Sequence, residues 1–266
     1  MSCSDQLIVG RARALTHTAS HTALAGFGRC CTINAACAAY FHVVPKSYDR
    51  LAGSYKVLEQ LAFGRLLHKV REQAVDELLD KLEPHQQVLI LGEGDGRFLQ
   101  SLTHKCKTPC HITCIDKSAQ MLARAQAKVT PTADLHVNFV LADATRDIPL
   151  DTYDVIISLF FLDNFAATTL QTLIPKLANH LTHQGIWLLA DFRQAKYGLA
   201  VWRSRMWLWL MYRFFRFVTD IEADQLVDPT RLFKEHGFLQ LERQSFQHGF
   251  VVLETWQKEH TQPLKR

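Results

Sequence analysis

An apolar run that breaks into three alternating glycines constrains the fold of this chain more than any other feature. Val88 to Leu91 have the composition of a buried strand, and Gly92, Gly94 and Gly96 follow before a stretch with helical apolar spacing. Glycine permits the backbone conformations that a tight strand-to-helix turn requires. This order is typical of an α/β domain that places bare backbone against a nucleotide-like ligand.

The remaining pattern predicts a Rossmann-like, doubly wound α/β sheet of seven strands. We expect strands at 88–91, 112–116, 137–142, 155–160, 185–190, 239–244 and 250–256, with helices at 96–105, 118–128, 166–181 and 229–235. Ser118 is the expected N-cap of the second of these helices. Strands that alternate with helices form a parallel sheet with right-handed crossovers. The link between the final two strands is too short for a crossover helix, so we expect an antiparallel last strand.

The sequence also indicates how the chain is divided. Residues 1–47 are poor in acidic residues and rich in Ala, Ser, Thr and His, which fits a flexible tail, a transit segment or an over-called start codon. We place the main domain at 48–258, with helices preceding the sheet at 48–83, a lid-like insertion at 198–228 and a tail at 259–266.

Composition narrows the classes of partner and compartment. The chain is 48% hydrophobic and 21% charged, as globular proteins are, and its net charge of +4 is concentrated in the first 47 residues. A near-neutral main domain argues against a nucleic-acid partner. The odd total of 7 cysteines suits a reducing compartment. The set His104, Cys106, Cys110, His111 and Cys114 lacks a Cys-x-x-Cys pair, so we expect reduced thiols and no metal.

Candidate ligand-binding residues end the next two predicted strands as well. A carboxylate at Asp116 could accept hydrogen bonds from both hydroxyls of a ribose, and Asp143 could accept one from an adenine amino group beside the small Ala144. Helix capping by Asp116 and a surface position for Asp143 are the structural alternatives. A dinucleotide fits less well, because Arg97 occupies the third glycine position of the dinucleotide-binding motif.

Together these motifs resemble those of class I S-adenosylmethionine-dependent methyltransferases. The run 154–163 is similar to the fourth strand of that family, and 48–55 is similar to a segment that often precedes the fold and covers the cofactor. The reversed last strand is a further likeness. The resemblance implies a methyltransferase that uses S-adenosylmethionine.

The resemblance also implies a role for particular residues. The usual acidic residue two positions before the first glycine is Ile90 here, so Glu93 and Asp95 are expected to replace part of its polar role. The implied cofactor-binding set is Gly92, Glu93, Gly94, Asp95 and Gly96 at the amino-acid part, Asp116 at the ribose, Met121, Asp143 and Ala144 at the adenine, Ser158 and Leu159 at the sulfonium, and Tyr55 from the covering segment.

The methyl acceptor is less sharply indicated. Transfer from a sulfonium mainly requires alignment and exclusion of water, with a general base where the attacking atom carries a proton. Asp163 and His68 are weak candidates for that base, since each also fits a capping or solvated position. Aromatic residues near 160–165 and the Trp- and Arg-rich segment 199–218 predict a small, lipophilic acceptor under a lid or interfacial helix. Here the chain is loosely similar to the quinone-biosynthesis methyltransferases.

Two other functions remain open from the sequence. One is a catalytically silent methyltransferase-like partner or assembly protein, and the less favoured one is an NAD(P)-dependent oxidoreductase. We expect a cytoplasmic protein that contacts membranes peripherally through 199–218, or an organellar one if 1–47 is a transit segment. The acceptor atom and the oligomeric state are not indicated.

Overall fold

The computed structural model describes residues 65–129, 135–149, 152–193 and 226–259. All of them lie within the unit Val44–Arg266. The predicted extension at 1–47, the segment 48–55 with Tyr55, residues 198–225 of the insertion, and the tail after 259 lie outside the described residues. The predicted domain boundaries therefore stay predictions.

The described elements follow the predicted alternation of helices and strands. In chain order they are α1 (Leu66–Leu79), β1 (Gln86–Leu91), α2 (Arg97–Lys105), β2 (Cys110–Asp116), α3 (Ala119–Lys128), β3 (Leu135–Leu141), β4 (Tyr153–Leu159), a 3-10 turn (Leu162–Asn164), α4 (Ala167–His180), β5 (Leu181–Phe192), α5 (Thr230–Glu235), β6 (Phe238–Phe246) and β7 (Val251–Lys258). Among these helices, none has both the length and the apolar character that crossing a membrane requires.

The strands form one seven-stranded sheet in the order β3-β2-β1-β4-β5-β7-β6. The pairs β1–β2, β2–β3, β1–β4 and β4–β5 are parallel. Strand β7 runs antiparallel to both β5 and β6, which confirms the predicted reversal at the end of the chain. Strand order reverses between β1 and β4, and ligands of open α/β sheets bind in the crevice at that point.

Hydrophobic layers cover both faces of the sheet. The layer beneath α1 and α2 is made mainly by alternate residues of the strands, such as Ile90 and Ile157, together with helix residues such as Val70 and Leu99. The layer beneath α4 and α5 contains Leu89 and Trp187 among others. Coverage of both faces explains the unbroken apolar run of β1, because every residue from Val88 to Leu91 is buried.

Strand β5 departs most from the predicted bounds. The predicted strand began at Gly185, but β5 begins at Leu181, directly after α4. Its polar first residues precede a bulge in the pairing with β4, where Leu181 faces Tyr153. Polar residues at a bulged strand end give no alternating apolar signal, so the sequence pattern marked only the buried half.

Candidate functional site at the carboxyl edge of the sheet

The glycine turn has the geometry that the sequence predicted. Gly92, Gly94 and Gly96 all have positive φ angles, of 63°, 68° and 82°. A Cβ added at Gly96 would lie 2.5 Å from Ala125 Cα, and one at Gly92 would lie 2.5 Å from the Phe161 ring. At Gly94, by contrast, no heavy atom of the described residues lies within 4 Å of an added Cβ. Two glycines therefore permit close packing, while the third presents bare backbone to open space.

Asp116 fixes the turn to the end of β2. The Gly94 N–H donates to its Oδ2 at 3.1 Å, and the Ser118 N–H donates to its Oδ1 at 2.9 Å. Burial raises the pKa of Asp116 to about 6, and these backbone N–H groups oppose the rise. A carboxylate has about four acceptor positions, so both oxygens can still accept bonds from a diol.

Glu93 and Arg71 face a small cavity at the same edge. The cavity, of about 40 Å³, is lined by Arg71 of α1, by Ile90 to Asp95, and by Phe98, Leu159 and Phe160. The Leu99 N–H donates to Glu93 Oε1 at 3.0 Å. Burial raises the pKa of Glu93 to about 7, although the Arg71 charge lowers it. A carboxylate and a guanidinium thus lie beside the bare backbone.

The turn after β4 closes the cavity in a strained conformation. Phe160 has a φ of 57°, which is rare for a bulky residue and costs roughly 1–3 kcal/mol. Its N–H donates to Ala190 O at 2.7 Å, and Asn164 Nδ2 donates to the carbonyl oxygens of Phe160 and Phe161 at 3.1 and 3.0 Å. The Arg71 guanidinium lies 5.4 Å from the centroid of the Phe160 ring. Strain held by hydrogen bonds is typical of a functional site.

The side chains of two predicted residues are engaged by other protein groups. Asp95 is ion-paired with Arg97 (2.9 Å) and Lys128 (3.0 Å), which link the turn to α2 and α3. Ser158 is fully buried, and its Oγ accepts a hydrogen bond from Trp187 Nε1 at 2.8 Å. Only the backbone of Ser158 could therefore border a bound cofactor, whereas Leu159 lines the cavity.

The predicted adenine-binding residues lie at the ends of β2 and β3. Met121 is buried in the first turn of α3, where its N–H donates to Ser118 Oγ at 3.2 Å and confirms Ser118 as the N-cap. Asp143 Oδ1 accepts from the Thr145 N–H and hydroxyl at 3.0 and 2.7 Å. The buried Ala144 follows. Asp143 is half-buried, and one of its oxygens is thus engaged within the local turn.

The two candidate bases differ in their surroundings. His68 lies exposed on α1, near Glu72, and does not line the cavity. Asp163 is half-buried in the 3-10 turn after β4, where burial raises its pKa to about 7 and the Arg193 charge lowers it. Asp163 is therefore the better placed of the two.

The histidine and cysteine set does not form a metal site. In the described ranges, no group of three or more His, Cys, Asp or Glu side chains is arranged to hold a metal ion. Cys106, Cys110 and Cys114 are free thiols, and burial raises the pKa of the last two.

Solved structures share this architecture. The N-methyltransferase NodS of Bradyrhizobium japonicum, in complex with S-adenosyl-l-homocysteine, aligns with a TM-score of 0.60 at 16% identity over 81% of this chain and 98% of that one. The magnesium protoporphyrin IX methyltransferase of Synechocystis, with bound SAM, aligns with a TM-score of 0.54 at 15% identity over 80% of this chain and 95% of that one. A putative methyltransferase of Haloferax volcanii, in complex with the activator Trm112, aligns with a TM-score of 0.61 at 18% identity over 83% of this chain and 99% of that one. These structural alignments show a common fold.

Sequence comparison is more specific. The methyltransferase domain family matches residues 88–185. This match runs from β1 into the first residues of β5. A carboxy-S-adenosyl-L-methionine synthase of Dichelobacter nodosus is 34% identical over 104 residues, which are 39% of this chain and 44% of that protein. The chain thus spans less than half of this curated relative. The predicted family, fold class and cofactor of the methyltransferase domain are confirmed.

Several residues at or near the site were not predicted from sequence. Arg71 reaches the cavity from α1, and Asp191 and Arg193 end β5 beside Asp163. Asp191 and Arg193 had a recognisable signal in the sequence, since charged residues directly follow an apolar strand at the edge where ligands bind. Arg71 had none, because it is one of several charged residues on an amphipathic helix.

Proposed function

We propose that this protein transfers the methyl group of S-adenosylmethionine to a small-molecule acceptor. The observation that supports this most directly is the open, positive-φ backbone at Gly94 beside Asp116. Bare backbone next to a ribose-binding carboxylate suits an adenosyl ligand, and the methyltransferase domain identifies the ligand class.

The proposed cofactor pose follows the arrangement of charges. Asp116 accepts the ribose hydroxyls, while Met121 and Ala144 pack on the adenine and Asp143 accepts from its amino group. The amino-acid part lies over the glycine turn, where Glu93 and Arg71 have charges opposite to those of its ammonium and carboxylate. Glu93 thereby takes the role of the acidic residue whose usual position in β1 is occupied here by Ile90.

The chemistry then requires little from the protein beyond positioning. The sulfonium is already a good leaving group, so catalysis consists of aligning the acceptor with the methyl carbon and excluding water. Leu159 and the strained Phe160 turn border the expected position of the sulfonium. Apolar walls there favour the charge-dispersed transition state over water attack.

A lipophilic acceptor is supported by the aromatic residues at the same edge. The Phe160 ring lies 5.4 Å from that of Phe192, which lies 5.3 Å from that of Phe250. A second pair, Phe161 and Phe165, is 5.1 Å apart. Such surfaces bind flat or apolar molecules. The role of 199–218 as a lid or membrane-contacting helix lies outside the described residues.

Calorimetric titration of the full-length protein with S-adenosylmethionine, S-adenosylhomocysteine and NADH tests the proposal. We expect binding of the first two and none of NADH, and weaker binding by Arg71→Gln with Lys69→Gln, an exposed position on the same helix, as the matched control. Binding of neither class would support the silent-partner alternative, and binding of NADH alone would support an oxidoreductase. Release of S-adenosylhomocysteine during incubation with fractionated small-molecule extracts then identifies the acceptor.

The curated relative favours one second candidate, formation of carboxy-S-adenosylmethionine. A cation at Arg71 beside the expected sulfonium is compatible with a cofactor that carries an additional carboxylate. Mass spectrometry of the cofactor after incubation distinguishes the two, because this candidate alters S-adenosylmethionine without methylating an acceptor.

A further inference from the structure

A second group of charged side chains lies next to the cofactor crevice. It comprises Asp163 after β4, Asp191 and Arg193 at the end of β5, Asp228 before α5, Arg243 on β6 and Glu254 on β7. The group adjoins the glycine turn, because the Phe161 ring packs on Gly92 and Asp163 follows two residues later. Asp163 thus lies in the 3-10 turn shortly after Phe160, which lines the cavity.

The arginines of this group are already paired. Arg193 Nη2 lies 3.1 Å from Glu254 Oε2, and Arg243 Nη1 lies 3.1 Å from Glu254 Oε1. Arg193 Nε lies 3.6 Å from Asp228 Oδ1. The group holds four acidic side chains and two arginines, so it carries a surplus of negative charge when all are ionised.

The surplus of negative charge affects the protonation of Asp191 most. Asp191 is only 1% exposed, and among the described residues its carboxylate has no hydrogen-bond donor besides a weak one, the Asp163 backbone N–H. An ionised carboxylate in such a position is strongly unfavourable. A proton on Asp191 removes the charge and supplies a donor, and the Asp163 carboxylate is within hydrogen-bonding reach.

The pKa values of the two carboxyl groups agree with a protonated Asp191 beside Asp163. Burial and the negative charges of Asp163 and Glu254 raise the pKa of Asp191 well above its usual range, against the effect of Arg193. Asp163 is half-buried, its Oδ1 accepts a hydrogen bond from Asn164 Nδ2 at 3.1 Å, and burial brings its pKa to about 7. A hydrogen bond from Asp191 lowers that pKa and so favours the ionised base.

We propose that Asp191 keeps its proton at neutral pH and donates a hydrogen bond to Asp163, and that Asp163 takes the proton of a methyl acceptor carrying O–H or N–H. The second half rests on the proposed methyl transfer. In the step, the acceptor atom forms a bond to the methyl carbon as the carbon–sulfur bond breaks. The acceptor proton passes to the Asp163 carboxylate, and neutral S-adenosylhomocysteine leaves. Asp163 is the catalytic base and Asp191 the positioning residue.

Carbon-13 NMR of the full-length protein, labelled at the aspartate carboxyl carbons, tests the pair without any acceptor. We expect one carboxyl that titrates near pH 7 and another that stays protonated above it. The first signal disappears in Asp163→Asn and the second in Asp191→Asn, while both persist in the exposed control Asp80→Asn. If Asp191→Asn does not fold, the pair is tested by the Asp163→Asn spectrum alone, in which the signal that titrates near pH 7 should be missing. Asp116, whose pKa is also raised, is assigned by the signal that disappears in Asp116→Asn. Absence of any other aspartate carboxyl with a pKa above its ordinary range would overturn the proposal.

The pH dependence of methyl transfer tests the role of the base. With 4-methylphenol as the probe, release of S-adenosylhomocysteine should rise as the pH increases through about 7. Asp163→Asn should lose that rise and about 10²–10⁴-fold in rate. Asp191→Asn keeps a donor and retains the rise near pH 7, whereas Asp191→Ala moves it upward.

The outcomes separate this proposal from the broader one. Failure to bind S-adenosylmethionine in calorimetry contradicts the proposed function and leaves the NMR result to decide the carboxyl pair. An unchanged rate and pH profile in Asp163→Asn, with cofactor bound, contradicts the base alone. Methylation of 4-methylthioanisole but not of 4-methylphenol would likewise contradict it, because the thioether has no proton to lose.

Discussion

Alanine substitutions at Gly94 and Gly96 should separate cofactor binding from stability within a single turn. Both residues have positive φ, which costs a side chain roughly 1–2 kcal/mol. Their surroundings differ, however. A methyl group at Gly96 would lie 2.5 Å from Ala125 Cα and 2.9 Å from its Cβ, whereas at Gly94 the nearest described atoms are beyond 4 Å.

The magnitudes follow from this difference. Overpacking a rigid core position adds roughly 1–3 kcal/mol, and α3 must shift because the clash involves backbone. Gly96→Ala should therefore lower the free energy of unfolding by about 2–5 kcal/mol, against about 1–2 kcal/mol for Gly94→Ala. For a domain of this size, these values correspond to melting temperatures lower by about 5–15 °C and by about 2–6 °C.

Cofactor binding should show the opposite order. A methyl group at Gly94 projects into the space assigned to the cofactor, and we expect at least a tenfold weaker affinity, or about 1.4 kcal/mol. Gly96→Ala, measured at a temperature where it is folded, should lose less. Urea unfolding and calorimetric titration with S-adenosylmethionine provide both numbers. Wild-type affinity in Gly94→Ala would refute the cofactor position, and equal stabilities would refute the packing argument.

Three further perturbations probe neighbouring contacts. Asp116→Ala should weaken S-adenosylmethionine binding 10- to 100-fold, from charged hydrogen bonds worth roughly 1.5–3 kcal/mol, and an unchanged calorimetric affinity would reject the ribose role. Because the pKa of Glu93 is raised to about 7, the ligand-free protein should gain stability as pH falls from 7, while cofactor affinity falls. In titrations from pH 8 to 6, Glu93→Gln should lose the trend in affinity, whereas in thermal melts it should keep the part of the stability gain that Asp163 contributes. Trp187→Phe leaves the buried Ser158 hydroxyl without its donor and should cost about 1 kcal/mol in urea unfolding, with cofactor affinity unchanged.

Elements with a strong local signal were predictable from sequence. The β1 run, the glycine turn and the Ser118 cap depend on interactions within a few residues, and all three are found as predicted. The antiparallel β7 was predictable because a short connection leaves no other possibility. The observed strand ends differ by a few residues because pairing with neighbours extends them beyond the apolar segment.

Side-chain direction at the site was less predictable. Ser158 was assigned to the sulfonium because it ends β4, but strand alternation directs its hydroxyl toward Trp187 on the opposite face. Asp95 lies inside the turn yet pairs with Lys128, a partner 33 residues away in sequence. A motif fixes where the backbone runs, whereas the neighbours of each side chain depend on helices that pack later against the sheet.

The same reasoning explains why the carboxyl pair needs a structure to be seen. Asp163 follows β4 and Asp191 ends β5, and they meet only because β4 and β5 are adjacent and parallel, with Phe160 N–H joined to Ala190 O. Arg193, whose charge acts on both aspartates, is also ion-paired with Glu254, which reaches it from β7 because that strand lies antiparallel between β5 and β6. The reversed strand therefore does more than complete the sheet. It supplies the carboxylate that engages Arg193 and leaves Asp191 to retain a proton.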